Sequence, residues 1–289
     1  FVDIAGLVKG ASKGEGLGNK FLSNIRETNA IIHVLRCFDD DNITHIDSVI
    51  DPIRDREIVE MELQLKDLDT INKKRDSIKR LAASGDKTAT SKLDILNKYS
   101  THLEAGKSAR NLELNHDGFI SELQLLTDKP VLYVCNVDEN SIQGNHYTDT
   151  VKKIVEEEMA EVLIISAAIE ADINELDNKS DKQEFLNEIG LKEPGVNKVI
   201  RSAYDLLGLQ TFFTAGEKEV RAWTINKGAF APQAAGVIHT DFEKGFIRAE
   251  VIPFETRIKF KNEHACREAG KISIEGKNYQ VCDGDIMHF

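Results

Sequence analysis

The sequence predicts an α/β fold, a doubly wound parallel sheet with a helical hairpin inserted into it and a smaller β-rich unit after it. Three observations lead to this prediction. Short apolar runs alternate with helical patterns, and a long stretch with helical spacing of its apolar residues interrupts this alternation. From about Leu209 the sequence consists mainly of short β-rich runs.

Four apolar runs have the composition of buried parallel strands, and they occupy residues 1–6, 30–38, 131–139 and 160–168. Helical patterns follow the first, third and fourth of these runs. Such alternation predicts right-handed βαβ units, whose ligands bind beyond the carboxyl ends of the strands. The candidate site is therefore expected at the sequences "DIAG", "NVDE" and "SAAIE".

The long interruption between the second and third runs is predicted to be an antiparallel helical hairpin that turns near Gly85. Apolar residues recur at helical spacing in both arms: Ile58, Met61, Leu65, Leu68, Ile71, Ile78 and Leu81, then Leu93, Leu96, Tyr99 and Leu103. Residues 73–110 carry ten Lys/Arg against four Asp/Glu. A solvated face and a phosphate-binding surface are both compatible with this excess, and the two interpretations stay open.

These patterns give four segments. Residues 1–57 and 126–208 form the two parts of a nucleotide-binding domain, residues 58–125 form the hairpin, and residues 209–289 form a separate small domain.

Composition excludes several classes of protein. The net charge of −12 argues against indiscriminate nucleic-acid binding, and no apolar stretch approaches the roughly 20 residues of a membrane span. The four cysteines have no metal-ligand spacing, which indicates reduced thiols: Cys37, Cys135, Cys266 and Cys282. We therefore expect a cytoplasmic protein with no membrane partner.

The first candidate loop follows the opening run. Asp3 at a strand end, followed by Gly6, is the D-x-x-G arrangement in which the carboxylate holds Mg²⁺ through water while the glycine N–H approaches a γ-phosphate. Ala5 lies beside them. A strand that merely ends in a turn has the same pattern. The later glycines do not form a Rossmann motif, because Asn19 occupies the position of the third glycine.

The second candidate loop is "NVDE". Asn136 can bond the imidazole edge of a purine and brace neighbouring loops, and Glu139 can accept from the base. GTPases of this layout use N-K-x-D, whereas Val137 and Glu139 stand here at the second and fourth positions. The extra methylene of Glu139 disturbs the pairing with guanine, so adenine is the expected base. Asp138 lies beside Glu139 but is not assigned to the base, because solvated acids are common after a strand.

The third candidate loop is "SAAIE". Its small residues would let backbone N–H groups approach a base, which makes Ser166, Ala167 and Ala168 candidates. Glu170 could equally cap a helix.

With these loops in place, the sequence closely resembles the YchF / Obg-like ATPase family, from the Obg branch of the P-loop NTPases. The resemblance covers essentially the whole chain, and it is most specific in "FVDIAGLVKGASKGEGLGNKFLSNIRETNAIIHVLRCF" and "LQTFFTAGEKEVRAWTINKGAFAPQAAGVIHTDFEKGFIRAEVI". It implies a Ras-like nucleotide domain, a helical hairpin and a C-terminal TGS domain of the β-grasp type. It also implies ATP hydrolysis in preference to GTP, and association with ribosomes.

The resemblance implies a role for each matching residue. Asp3 becomes the Mg²⁺ ligand, and Ala5 and Gly6 belong to the γ-phosphate loop. The base-reading residues become Asn136, Val137 and Glu139, supported by Ser166, Ala167 and Ala168. Leu7 stands where many GTPases place a water-orienting Gln. His45 is our candidate for positioning or deprotonating water, because imidazole titrates near neutral pH, and a solvated loop histidine is the alternative. His33 lies inside a strand and is assigned to the core.

The sequence has no G-x-x-x-x-G-K-[ST] run, so we expect a chain that lacks the P-loop and first switch of the family and binds nucleotide poorly. The expected partners are ATP with Mg²⁺, and ribosome or RNA through the basic hairpin and TGS domain. No sequence-specific DNA partner is expected. Two alternatives remain: a non-catalytic ribosome-binding module that nucleotide only stabilises, and a classical GTPase switch.

Overall fold

A parallel sheet organises the first part of the chain in the computed structural model, which describes residues 1–4, 17–43, 49–114, 118–216 and 219–289. Its strands are β1 (Ile31–Arg36), β2 (Val131–Asn136) and β3 (Glu161–Ile165), in the order β1-β2-β3. Leu35 lies opposite Cys135, and Cys135 lies opposite Ile164. Apart from its last residue, β2 is buried throughout, as its continuous apolar run predicts.

The predicted first strand is not part of this sheet in the residues described. Residues 1–4 have no strand geometry, and the side chains of Phe1 and Val2 are 84% and 69% exposed. An apolar run becomes a buried strand only where a neighbouring strand pairs with its N–H and C=O groups. No described strand pairs with these residues, and Ile4 instead packs against a small cluster around Leu22.

In the described ranges five helices accompany the sheet, and four of them lie close to the predicted helical patterns. The exception is the helix Ala167–Glu175, which begins inside the run 160–168 that the sequence predicts to be a strand. The five helices are α1 (Leu17–Glu27), α4 (His146–Val155), α5 (Ala167–Glu175), α6 (Lys179–Glu188) and α7 (Gly195–Leu206). Asn145 begins α4 through a capping box with Thr148. The chain divides into two compact units, Phe1–Ala203 and Tyr204–Phe289, so α7 runs past the last residue of the first unit.

The predicted hairpin is formed by α2 (Pro52–Ala83) and α3 (Lys87–Glu104), which are joined by a turn at Gly85 with a φ of +90°. Asp51 caps α2 and Pro52 is its first residue, so the helix begins before the apolar periodicity does. The buried core of the hairpin contains Ile71, Leu96, Tyr99, Leu103, Phe119, Ile120 and Leu125.

A buried ionic cluster joins the base of the hairpin to the sheet. The Arg56 guanidinium on α2 donates to the Tyr133 hydroxyl of β2 at 3.1 Å and pairs with Glu158. The Tyr133 hydroxyl donates to Glu158 at 3.2 Å, and Arg110 pairs with Glu60 at 2.6 Å. His33 lies beside Tyr133, and burial lowers the pKa of its imidazole to about 4. His33 is therefore a neutral, half-buried neighbour of this cluster.

A second buried polar contact lies further along α2. The Asp67 carboxylate is fully buried and accepts hydrogen bonds from Leu126 N–H at 2.8 Å, Thr127 N–H at 2.8 Å and the Thr127 hydroxyl at 2.7 Å. Burial raises the pKa of Asp67 to about 6, although the donors oppose the shift. The contact fixes the segment that leads back from the hairpin into β2.

The second unit is built on a mixed sheet of β4 (Leu209–Ala215), β5 (Val220–Asn226), β6 (Ala249–Ile252), β7 (Ser273–Glu275) and β8 (Ile286–His288). The strand order is β5-β4-β8-β6-β7, in which β4 and β8 are parallel and the other neighbours antiparallel. Its helices are α8 (Ala231–Ile238), α9 (Thr240–Lys244), α10 (Phe254–Phe260) and α11 (Glu263–Glu268). Over the described part of the chain, no helix is both long and apolar enough to cross a membrane.

Candidate nucleotide site

The structure brings two of the predicted base-loop residues into direct contact. Asn136 ends β2, and its Oδ1 accepts a hydrogen bond from Ala167 N–H at 3.0 Å. Ala167 is the first residue of α5, at the end of the neighbouring strand β3. The Asn136 side chain therefore joins the "NVDE" and "SAAIE" loops at the carboxyl edge of the sheet, where ligands of such folds bind.

Val137 has a structural position. Its side chain is 2% exposed and packs in the core of the sheet, and its N–H donates to the Ile165 carbonyl at 2.9 Å. The Val137 side chain is therefore not available to contact a nucleotide as predicted, because it completes the apolar core of the sheet.

Asp138 and Glu139 have different surroundings. The Asp138 carboxylate accepts from Asn140 N–H at 2.9 Å and from the Ser141 hydroxyl at 3.0 Å, and so caps the short 3₁₀ turn Glu139–Ser141. Asp138 is thus occupied in holding the turn. Glu139 is the first residue of that turn and is exposed, which leaves its carboxylate accessible to a base.

The residues of the third loop form the beginning of α5. Ser166 is buried and caps the helix by accepting from Ile169 N–H at 3.5 Å. Ala167 and Ala168 are exposed, and each carries only a methyl side chain over the backbone at this helix start.

Glu170 caps a helix, but not its own. Its carboxylate accepts from Gly195 N–H at 2.6 Å and Val196 N–H at 3.2 Å, at the N-terminus of α7. The sequence shows an acid after a strand, but nothing in its spacing indicates a partner 25 residues further on.

The loop after β1 is held by Arg36, a residue that no sequence motif singles out. The Arg36 guanidinium donates to the carbonyls of Phe38 at 3.2 Å, Asp40 at 3.1 Å and Ile43 at 2.9 Å. Hydrogen bonds from an arginine to nearby carbonyls follow no periodic pattern, so only the folded loop reveals them.

The predicted phosphate-side residues are described only in part. Asp3 is exposed, whereas Ala5, Gly6 and the proposed catalytic His45 lie outside the described residues. Within the described ranges, no group of three or more His, Cys, Asp or Glu side chains could hold a metal ion. A lone exposed carboxylate fits Mg²⁺, since this ion commonly binds one or two carboxylates together with phosphate and water.

Comparison with known proteins identifies the family. A family model named YchF-GTPase_C, described as a protein of unknown function (DUF933), matches residues 209–289. "Ribosome-binding ATPase YchF" of Escherichia coli O157:H7 is 54% identical over 291 residues, an alignment that covers 100% of this chain and 80% of the relative. The chain belongs to the YchF family. The YchF protein of Bacillus subtilis strain 168, which carries the same name, is 48% identical over 294 residues, with the same coverage.

A solved YchF structure confirms the fold. "Structure of the Schizosaccharomyces pombe YchF GTPase" matches with a TM-score of 0.81 and 37% identity, over 97% of this chain and 77% of that one. The predicted α/β class and the resemblance to the YchF / Obg-like family are therefore both confirmed. The contact between Asn136 and Ala167 thus lies in a YchF fold.

Proposed function

We propose that this protein is a ribosome-associated P-loop NTPase that binds and hydrolyses ATP in preference to GTP. The observation that carries the proposal is the 54% identity, over the entire chain, to a protein named as a ribosome-binding ATPase. The hydrogen bond between Asn136 and Ala167 supports the purine site, because it joins two loops that the sequence assigns to base recognition.

Base selectivity is assigned to Glu139. Guanine offers two donors that suit the short carboxylate of Asp, and the longer, exposed Glu139 side chain fits this pairing poorly. Asn136 uses its carbonyl oxygen on Ala167, so its amide group stays available to the imidazole edge of the purine.

Phosphate chemistry is assigned to the opening segment and to His45. Asp3 would hold Mg²⁺, which when bound neutralises charge on the phosphates. Gly6 N–H would bond the γ-phosphate. His45 would orient the attacking water and accept its proton as the water oxygen bonds to the γ-phosphorus, while the bond from that phosphorus to the bridging oxygen breaks and ADP leaves.

The decisive experiment titrates the full gene product with ATP and with GTP in the presence of Mg²⁺, and measures phosphate release. Tighter binding of ATP together with ATP turnover supports the proposal. Tighter binding of GTP would overturn the base assignment and favour a GTPase, as the S. pombe relative is called. Binding without turnover would favour a module that nucleotide only stabilises. A His45→Ala variant with wild-type turnover would remove His45 from the mechanism.

Glu139→Asp is expected to move selectivity toward guanine. Restoring the short carboxylate should lower the ratio of GTP to ATP dissociation constants about tenfold, equivalent to ~1.4 kcal/mol. Isothermal titration with both nucleotides measures the ratio. The matched control is Glu175→Asp at the end of α5, which should leave it unchanged. An unaltered ratio in Glu139→Asp would show that another residue reads the base.

Ribosome association is assigned to the hairpin, which carries the exposed cations Lys79, Arg80 and Lys87 in the helix ends on either side of its turn. Lys79→Glu/Lys87→Glu should weaken co-sedimentation with ribosomes about tenfold and reduce its salt dependence, because fewer counterions are released from RNA. Lys179→Glu/Lys192→Glu makes the same change in net charge at exposed positions outside the hairpin. Equal losses in the two double variants would contradict a specific role for the hairpin and indicate net charge alone.

A further inference from the structure

Hydrogen bonds attach helix α7 to the parallel-sheet part of the first unit at two separate points. At its beginning, Gly195 and Val196 donate their N–H groups to Glu170, just beyond the carboxyl end of β3. Further along α7, the Ser202 hydroxyl donates a hydrogen bond at 2.9 Å to Glu161, which is the first residue of β3. The helix therefore runs antiparallel to β3, with one tether near each end of the strand.

Only the first tether involves the proposed base loop. Glu170 lies in the first turn of α5, two residues after Ala168. On the other side of this loop, Asn136 accepts from Ala167 N–H. The loop is thus held to β2 by the Asn136 side chain and, through the Glu170 side chain that follows it, to backbone N–H groups at the start of α7.

The tether at Glu170 allows little movement. A carboxylate that accepts two N–H groups at a helix N-terminus forms charge-assisted hydrogen bonds and also interacts favourably with the helix dipole. Gly195 is packed so closely that an added Cβ would lie 2.9 Å from Glu170 Oε1 and 3.1 Å from Ile165 Cγ2. The first turns of α5 and α7 are therefore locked together through one side chain.

We propose that Glu170 is a positioning residue for purine recognition, which fixes the first turn of α5 so that the backbone of Ala167 and Ala168 can receive the base. The inference rests on the proposed nucleotide site. Without the carboxylate, α5 retains its own cap from Ser166 but loses its fixed position against α7, and the loop loses one of its two supports.

The experiment compares two variants of the full gene product that each release α7 at one end. Glu170→Ala is expected to raise the dissociation constant for ATP about tenfold, whereas Ser202→Ala is expected to leave it within about twofold of wild type. Glu170→Gln keeps one oxygen as an acceptor and should restore part of the affinity. Turnover at saturating ATP should change little, because Glu170 does not touch the phosphates in this scheme.

Inorganic tripolyphosphate separates base recognition from general damage. Its affinity should be the same in wild type and Glu170→Ala, because it has no base for the loop to receive. Equal ATP affinities in wild type and Glu170→Ala would overturn the inference, as would an equal loss in Ser202→Ala. Failure of the wild-type protein to bind ATP would instead overturn the proposed function. Thermal unfolding with circular dichroism establishes that both variants are folded at the titration temperature.

Discussion

Asp67→Ala is expected to lower the free energy of unfolding by about 4 kcal/mol, since it leaves two buried N–H groups without an acceptor. Leu126 N–H and Thr127 N–H both donate to this carboxylate, which has no exposed surface. Each unsatisfied donor costs about 1–3 kcal/mol, and the small cavity adds to the loss. Urea denaturation at pH 8 measures the effect above the pKa of about 6, where the wild-type carboxylate is ionised.

Asp69→Ala is the matched control for this variant. Asp69 lies two residues further along α2, has a side chain that is 44% exposed and pairs with Lys73 at 2.8 Å, so its removal should cost less than about 1 kcal/mol. The loss of unfolding free energy in Asp67→Asn should fall between those of the two alanine variants. The amide keeps one oxygen as an acceptor, but its NH₂ group then faces a backbone N–H donor. Values for Asp67→Ala and Asp69→Ala that agree within error would show that this hydrogen-bond cluster does not hold the hairpin to the sheet.

The apolar patterns predicted most of the helices and strands because burial has a period that the sequence displays. The runs around Leu35, Tyr133 and Ile164 became β1, β2 and β3, and the helical spacing on both sides of Gly85 became the hairpin. Residues 1–4 show the limit of such patterns. Their composition suits a strand, but pairing depends on a neighbour that composition does not supply.

The polar contacts of the site were predicted less completely. Asn136 and Ala167 could be placed together because parallel strands bring their carboxyl ends to one edge. The partners of Glu170 and Arg56 could not be anticipated. Gly195 lies 25 residues from Glu170 in the sequence, and Glu158 lies 102 residues from Arg56. Contacts of this kind leave no repeat in the sequence. They follow only from the way the elements pack.

Arg56→Met is expected to lower the free energy of unfolding by about 3 kcal/mol, because it leaves the Glu158 carboxylate without its closest cation in a mostly buried cluster. Among the described residues, Glu158 would keep its contacts with the Tyr133 hydroxyl and with Arg110, the latter at 3.9 Å. The loss is therefore placed at the lower end of the range for a broken buried ion pair. Urea denaturation of the single variant beside wild type measures it.

The triple variant Arg56→Met/Tyr133→Phe/Glu158→Leu tests the physical reason. Replacing all three polar groups with apolar ones of similar size removes the unpaired charge, and its stability should return to within about 1 kcal/mol of wild type. A triple variant as unstable as the single one would mean that Arg56 contributes mainly through its packing over the Tyr133 ring, at 5.4 Å. Tyr133 and Asn136 belong to the same strand, so a change at the cluster could reach the base loop. A stable triple variant that binds ATP with wild-type affinity would show that the ionic cluster anchors the hairpin and does not affect the base loop.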